Sequence, residues 1–151
     1  MLKYFAKSKS KIISIIHADD HAIFRSGLRM AFKDRKDIEI IGEAGNGLEL
    51  LRLLETRIPD IVILNVNMPV MDGIETLPKI KQRYPDLKVI VLSMHYSTEM
   101  ITKMMRLGSN TYLTKNMSSE EIYRAIKCVH EFDYCYSESI ERALLGSDIK
   151  E

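Results

Sequence analysis

The residues Ile61-Val62-Ile63-Leu64 form the most continuous apolar run of the chain, and the run stops at Asn65. A short run of branched apolar residues bounded by polar ones predicts a strand that is buried on both faces. Lys11–Ala18 is a second run of this kind, and it stops at Asp19 and Asp20. Strands buried on both faces are typical of a parallel sheet that is covered by helices. These two runs therefore favour an α/β fold.

Strand and helix patterns alternate along the rest of the chain. The predicted strands are Lys11–Ala18, Ile38–Gly42, Ile61–Leu64, Val89–Ser93 and Thr111–Thr114. The predicted helices are His21–Asp34, Leu48–Arg57, Glu75–Tyr84, Thr98–Leu107 and Ser118–Val129. We expect Pro78 to interrupt the third helix, Gly108 to end the fourth, and Ser118 with Glu121 to form a capping box. Five such alternations predict a parallel sheet with helices on both faces.

The composition is that of one ordinary globular domain. The chain has 151 residues, of which 46% are hydrophobic and 28% charged, and its net charge of +1 offers no general attraction for nucleic acid. No apolar run approaches the roughly 18 residues of a membrane span. Cys128 and Cys135 are too few for a disulfide framework or a zinc site, so we expect a reduced, intracellular chain with inert thiols.

The two ends of the chain are expected to lie outside the sheet. Residues 1–10 are basic and polar, and we expect a disordered or ragged lead-in to the first strand. Residues 132–151 contain a weak helical pattern over Glu138–Leu145 followed by polar residues, and we interpret them as a linker stub or trailing helix.

Polar side chains follow four of the five predicted strands. In open α/β sheets, ligands bind beyond the carboxyl ends of the strands, so these side chains should converge on one edge. Carboxylate and carbonyl oxygens suit Mg²⁺, and a lysine and a hydroxyl beside it suit a phosphoryl group. The residues in question are Asp19, Asp20, Asn65, Asn67, Ser93 and Lys115.

A known family shows the same residue types in the same order. The relevant segments are Ala18-Asp19-Asp20-His21, Arg25-Ser26-Gly27-Leu28, Gly42-Glu43-Ala44 with Asn46-Gly47, Pro59–Leu64, Met68-Pro69-Val70-Met71-Asp72-Gly73, Ser93, Gly108 and Tyr112-Leu113-Thr114-Lys115. Over residues 11–131 the chain resembles a receiver domain of a two-component response regulator. It is most similar to the receivers that precede a LuxR-type helix-turn-helix domain.

The resemblance implies a fold, a site and partners. It implies a flavodoxin-like doubly wound sheet with the strand order 2-1-3-4-5 and a cytoplasmic signalling role. Asp19, Asp20 and the backbone carbonyl of Asn67 would hold Mg²⁺, and Lys115 would pair with the site carboxylate and the phosphoryl oxygens. Ser93 and Tyr112 would act as switch residues. A histidine kinase would be the phosphodonor, a homodimer would form, and DNA would be bound only through an output domain that these residues do not include.

The chain departs from the family at the phosphoacceptor. The family has an aspartate where this sequence has Asn65. A neutral amide oxygen is a poor nucleophile and cannot form an acyl phosphate, so we expect no phosphorylation by the family route and no enzymatic activity. The missing charge should also weaken Mg²⁺ binding. Two explanations stay open: a natural stand-alone pseudo-receiver that binds proteins without phosphoryl transfer, or an introduced aspartate-to-asparagine change.

The histidines near the predicted site are given lesser roles. His17 lies in a central strand and is expected to be a core histidine with satisfied hydrogen bonds. His21 resembles the histidine that follows the acid pair in the subfamily, and no chemical role is assigned to it. A magnesium-dependent phosphatase would need a second acid at the position of His21, which disfavours that class.

Overall fold

The computed structural model describes the backbone of residues 11–149 and the side chains of residues 11–146. The predicted lead-in, residues 1–10, lies outside the described residues. The strands are β1 Ile13–Ala18, β2 Ile38–Ala44, β3 Ile61–Leu64, β4 Lys88–Ser93 and β5 Thr111–Thr114. The helices are α1 Ala22–Phe32, α2 Gly47–Thr56, α3 Gly73–Arg83, α4 Thr98–Arg106, α5 Ser119–Phe132 and α6 Glu138–Ile149.

The five strands form one parallel sheet in the order β2-β1-β3-β4-β5. β3 lies at the centre, and each of its four side chains is fully buried, as the continuous apolar run predicts. The predicted flavodoxin-like strand order is therefore confirmed.

Helices cover both faces of the sheet, and each face has its own apolar cluster. Ile15 packs in the cluster beneath α1 and α5, whereas its neighbour Ile16 packs in the cluster beneath α2, α3 and α4. Successive side chains of a strand point to opposite faces, so a strand in this position must be apolar at nearly every residue.

Local signals set the helix ends largely as predicted. Ser118 and Glu121 form the capping box at the start of α5. Gly108 follows α4 with a φ of 111°, a conformation that L side chains rarely adopt. The prediction that Pro78 interrupts the third helix is wrong, because α3 runs through it. A proline removes only one hydrogen bond of the helix, and the fully buried Leu77 and Ile80 hold both flanking turns against the core.

The last helix packs against the body of the domain. α6 runs over Glu138–Ile149, four residues beyond the predicted end at Leu145. Ile140 and Ala143 of α6 are buried, and the Thr102 hydroxyl of α4 donates a hydrogen bond of 3.3 Å to the carbonyl of Ala143. Residues 138–146 therefore lie against α4. None of the helices between residues 11 and 149 is long and apolar enough to cross a membrane.

Candidate functional site

The carboxyl ends of β1, β3, β4 and β5 bring the predicted polar side chains to one edge of the sheet. Asp19 follows β1, Asn65 follows β3, Ser93 ends β4 and Lys115 follows β5. The register places these ends side by side, with Ala18 opposite Leu64, and Leu64 opposite Val91. Parallel pairing thus creates the cluster from residues that are far apart in sequence.

The Asn65 side chain lies at the centre of this cluster. Its amide nitrogen Nδ2 donates to Asp19 Oδ1 at 3.3 Å, to Asp20 Oδ1 at 3.3 Å and to the backbone carbonyl of Asn67 at 2.8 Å. The three predicted metal-binding groups therefore surround the Asn65 amide. A nitrogen with two protons that faces three oxygens offsets part of the repulsion between the two carboxylates.

The start of α3 comes close to this loop. A Cβ atom on Gly73 would lie 2.5 Å from the Asn65 carbonyl oxygen, so only glycine allows this approach. The Gly73 amide donates to the carbonyl of Val66 at 2.7 Å and holds the loop in place. Gly73 thereby helps to position Asn65 and Asn67.

Lys115 and Asp19 form a buried ion pair. Lys115 Nζ lies 2.6 Å from Asp19 Oδ2, and the two side chains are 4% and 0% exposed. Burial alone would raise the pKa of Asp19, but the hydrogen bond from Lys115 and the backbone hydrogen bond from His21 outweigh it, so this pKa lies below its usual value. Asp19 is therefore ionised at neutral pH.

Ser93 and Tyr112 lie beside this cluster, and the hydroxyl group of each makes a hydrogen bond with the loop after β4. The Ser93 hydroxyl accepts a hydrogen bond of 3.0 Å from the His95 amide, and the Tyr112 hydroxyl donates one of 2.8 Å to the His95 carbonyl. Burial raises the pKa of the Tyr112 phenol, and a hydrogen bond with Ser93 opposes that shift only in part. The Tyr112 side chain is buried and turned inward.

His21 belongs to the cluster, although the sequence assigned it no role. Its ring nitrogen Nδ1 lies 3.1 Å from Asp19 Oδ1, 3.3 Å from Asp20 Oδ1 and 3.2 Å from Lys115 Nζ. The ligand atoms of Asp19, Asp20 and His21 lie within 4.8 Å of one another, which is close enough for one metal ion. The sequence feature that could have indicated this role is that Asp19, Asp20 and His21 are consecutive residues.

His17 is buried as predicted, but the expectation that its hydrogen bonds are satisfied is wrong. Neither ring nitrogen has a hydrogen-bond partner among the described residues, and the nearest carboxylate oxygen, Asp19 Oδ2, is 3.9 Å away. Burial lowers the pKa of His17 to about 4, which outweighs the attraction of Asp19 and Glu43 for the protonated ring. His17 is therefore neutral at pH 7 and packs edge-on against Phe24.

The comparisons with known proteins agree with this arrangement. Residues 15–127 match the family described as Response regulator receiver domain. An uncharacterized transcriptional regulatory protein of Bacillus subtilis, YhcZ, is 38% identical over 128 residues, which cover 85% of this chain and 59% of YhcZ. The nitrate/nitrite response regulator protein NarL of Escherichia coli K12 is 30% identical over 140 residues, covering 93% of this chain and 65% of NarL.

Solved structures share the fold. A two-component response regulator of the LuxR family from Aurantimonas sp. SI85-9A1 superposes with a TM-score of 0.83 at 26% identity, covering 92% of this chain and 99% of that chain. A LuxR-family DNA-binding response regulator from Staphylococcus aureus gives a TM-score of 0.74 at 30% identity, covering 79% of this chain and 99% of that chain. The chain spans between half and two thirds of the length of the curated relatives that it matches.

Proposed function

The chain belongs to the response regulator receiver domain family, and from that premise we propose that it is a phosphorelay receiver whose acceptor position is occupied by Asn65. Its relatives are of the LuxR and NarL type. The observation that carries the proposal is the position of the Asn65 side chain, between Asp19, Asp20 and Asn67 at the end of the central strand. In this family that position belongs to the aspartate that accepts the phosphoryl group.

Asn65 makes the chain phosphorylation-incompetent and non-enzymatic in this proposal. Attack on phosphorus needs an anionic oxygen, and the carboxamide of Asn65 is neutral. Its nitrogen is also held by three acceptors, which turns its hydrogens rather than a lone pair toward the cluster. The Asp19 carboxylate is a possible alternative nucleophile, but Lys115 contacts its Oδ2 atom, and His21 and the Asn65 amide contact its Oδ1 atom, which disfavours attack on phosphorus.

The oxygen atoms around Asn65 fit Mg²⁺. Two carboxylates and one backbone carbonyl face a common point, and Mg²⁺ prefers such oxygen ligands. When bound, the ion would neutralise charge on phosphoryl oxygens. We propose that Asp19, Asp20 and the Asn67 carbonyl hold it, and that Asn65 weakens binding. One unit charge at about 4 Å contributes about 4 kcal/mol at an effective dielectric near 20, before screening and desolvation.

The remaining groups are assigned roles in phosphoryl binding and switching. Lys115 would neutralise the site carboxylate and the phosphoryl oxygens, and its buried pair with Asp19 supports that role. Ser93 and Tyr112 would act as switch residues, since both hydrogen-bond the loop that leads into α4. Histidine kinases, a second copy of the chain and DNA reached through an output domain are the proposed partners, and the cytoplasm is the proposed location, all on the family relationship.

A natural pseudo-receiver is the second candidate, and one observation favours it. The Asn65 amide donates to a carboxylate oxygen of both Asp19 and Asp20, which reduces the repulsion between the two acids without a cation. Such a chain would act as a protein-binding module that needs no phosphoryl transfer.

Beryllofluoride, which mimics a phosphoryl group on a carboxylate, tests the proposal. Amide spectra of this chain and of Asn65→Asp are recorded with Mg²⁺, before and after beryllofluoride is added. We expect shifts at Ser93, Tyr112 and Lys115 only in Asn65→Asp. An unresponsive Asn65→Asp variant would show that the other site residues no longer work as a receiver, which would favour the pseudo-receiver. A response of the parent chain would contradict the role given to Asn65.

A further inference from the structure

The two cysteines lie side by side on the opposite end of the domain from the candidate site. Cys128 is in α5, and Cys135 is in residues 133–137, the segment that joins α5 to α6. Cys128 Sγ lies 3.6 Å from the carbonyl oxygen of Tyr134, the residue that directly precedes Cys135, so the fold brings the two cysteines next to each other. The sequence predicts two inert thiols, and it gives no indication that they lie next to each other.

A tight reversal of the chain creates this contact. Asp133 follows α5 with a φ of 72°, a left-handed conformation that is uncommon for any residue other than glycine. Two contacts hold the reversal. The side-chain amide nitrogen Nδ2 of Asn110 donates to the backbone carbonyl of Asp133 at 2.7 Å, and Lys88 Nζ lies 2.9 Å from the Asp133 carboxylate. The segment after α5 is therefore folded back onto the sheet rather than directed away from it.

Cys135 itself is fixed by its backbone. Its amide donates to the Asn110 carbonyl at 3.1 Å, and its carbonyl accepts a hydrogen bond of 2.5 Å from the Thr111 hydroxyl. Both bonds join it to the start of β5, while Cys128 is fixed by α5. The thiols are therefore held together by the fold, which favours a bond between them over reactions with other thiols.

Both cysteines are half-buried, so a small oxidant can reach them. Burial, together with the neighbouring Cys128 thiol, raises the pKa of Cys135 to about 12. Cys135 therefore keeps its proton at neutral pH. The position of the two cysteines next to each other lets either thiol react with the oxidised form of the other.

We propose that Cys128 and Cys135 form a reversible redox site, in which a hydroperoxide converts the two thiols into an intramolecular disulfide. One of the two sulfurs attacks the outer peroxide oxygen, the O–O bond breaks, and an alcohol or water leaves, so that this cysteine becomes a sulfenic acid. The sulfur of the other cysteine then attacks the sulfenic acid sulfur, the S–O bond breaks, and water leaves with the proton of the second thiol. One peroxide is reduced for each disulfide, and a thiol reductant reverses the change.

The disulfide would tie the end of α5 to the segment that leads into α6. Residues 133–137 decide where α6 begins, and Ile140 and Ala143 of α6 are buried against the domain. Oxidation would therefore stabilise the folded-back segment and the position of α6. Reduction would leave that segment held by its hydrogen bonds, by the ion pair of Lys88 and by the packing of Cys135 against the apolar cluster beneath α1 and α5. The site does not depend on the function proposed for Asn65.

The test is peroxide oxidation of the full reduced chain, followed by denaturation, treatment with N-ethylmaleimide and intact-mass measurement. We expect a monomer that has lost two hydrogen atoms, takes up no maleimide and regains both thiols with dithiothreitol. The equilibrium constant for disulfide formation is then measured in glutathione redox buffers. It should be at least about tenfold larger for the folded chain than for the same chain in urea, which corresponds to a difference of about 30 mV in reduction potential. The oxidised chain should also have the higher melting temperature. A disulfide that forms more favourably in the folded than in the unfolded chain stabilises the folded chain by the same factor.

Two single variants test the role of the partner thiol. Cys135→Ser and Cys128→Ser each lack the second sulfur, so they should accumulate a sulfenic acid that dimedone traps, whereas the parent chain should accumulate much less. The proposal is overturned if both thiols still take up maleimide after oxidation, or if only disulfides between chains form. It is equally overturned if the folded chain favours the disulfide no more than the urea-unfolded chain.

Discussion

Replacing Asn65 by aspartate should destabilise the chain when divalent cations are removed. The substitution takes away an amide that donates to three oxygens and puts a carboxylate about where that amide lies, 3.3 Å from oxygens of Asp19 and Asp20. Like charges at that distance repel by about 5 kcal/mol per pair at an effective dielectric near 20, and Lys115 offsets part of this. Repulsion will therefore dominate the change.

Protonation limits the cost of this substitution. If repulsion raises the pKa of the new carboxyl above 7, the group binds a proton at pH 7 and loses its charge. The cost is therefore limited to the free energy of raising this pKa from about 4 to 7, which is about 4 kcal/mol. We therefore expect a loss of about 2–4 kcal/mol at pH 7 in EDTA, or roughly 10 °C in melting temperature for a chain of this size. Mg²⁺ at about a hundred times its dissociation constant should restore about 2.7 kcal/mol.

Thermal and urea unfolding in EDTA and in Mg²⁺ measure this effect. Asn65→Ala removes the amide without adding charge, so it should lose about 1–2 kcal/mol without gaining a larger Mg²⁺ response than the parent. Gln82→Glu adds the same charge at an exposed position of α3, away from the cluster, and should be close to neutral. If Asn65→Asp were as stable as the parent in EDTA, the electrostatic account of the site would be refuted.

Three further predictions concern the ion pair, the buried histidine and the last helix. Lys115→Met leaves the Asp19 charge buried without its partner and should cost about 3 kcal/mol in urea unfolding at pH 7; unchanged stability would contradict the buried pair. The pKa of His17 is lowered to about 4 in the folded chain, so protons favour the unfolded chain below pH 6.5. The unfolding free energy should fall by up to about 3 kcal/mol between pH 6.5 and 4. This fall should be smaller in His17→Leu, which has no imidazole to protonate, and an equal fall in the variant would contradict the role of His17. Ile140→Ala should speed amide exchange in α6 by removing a buried side chain worth about 2–5 kcal/mol, whereas the exposed Leu145→Ala should not; equal effects would argue against docking of α6 on α4.

The sheet could be predicted because its signals are local. β1, β3 and β4 are short, mainly apolar runs that end at or before a polar residue, and β3 shows the continuous pattern that burial on both faces requires. The strand order came from the resemblance to receivers. The unbroken α3 could not be predicted, because Pro78 breaks helices in general and only the core contacts of Leu77 and Ile80 outweigh that tendency.

The candidate site could be predicted as a set of residues but not as a set of contacts. Topology alone brings Asp19, Asn65 and Lys115 together once the strands are parallel. The direction of the Asn65 amide and the position of His21 depend on side-chain rotamers, which no spacing encodes. The Cys128–Cys135 contact depends on the left-handed backbone at Asp133, and nothing in the local sequence required that conformation.

The most direct test of the proposed function is the intact mass of the chain after incubation with Mg²⁺ and a small phosphodonor such as acetyl phosphate. Asn65→Asp, incubated in parallel, supplies the missing carboxylate in otherwise the same surroundings. We predict that Asn65→Asp gains one phosphoryl group and that the parent chain gains none. A phosphoryl group on the parent chain would contradict the role given to Asn65, and its absence from both chains would contradict the claim that the surrounding residues form a working receiver site.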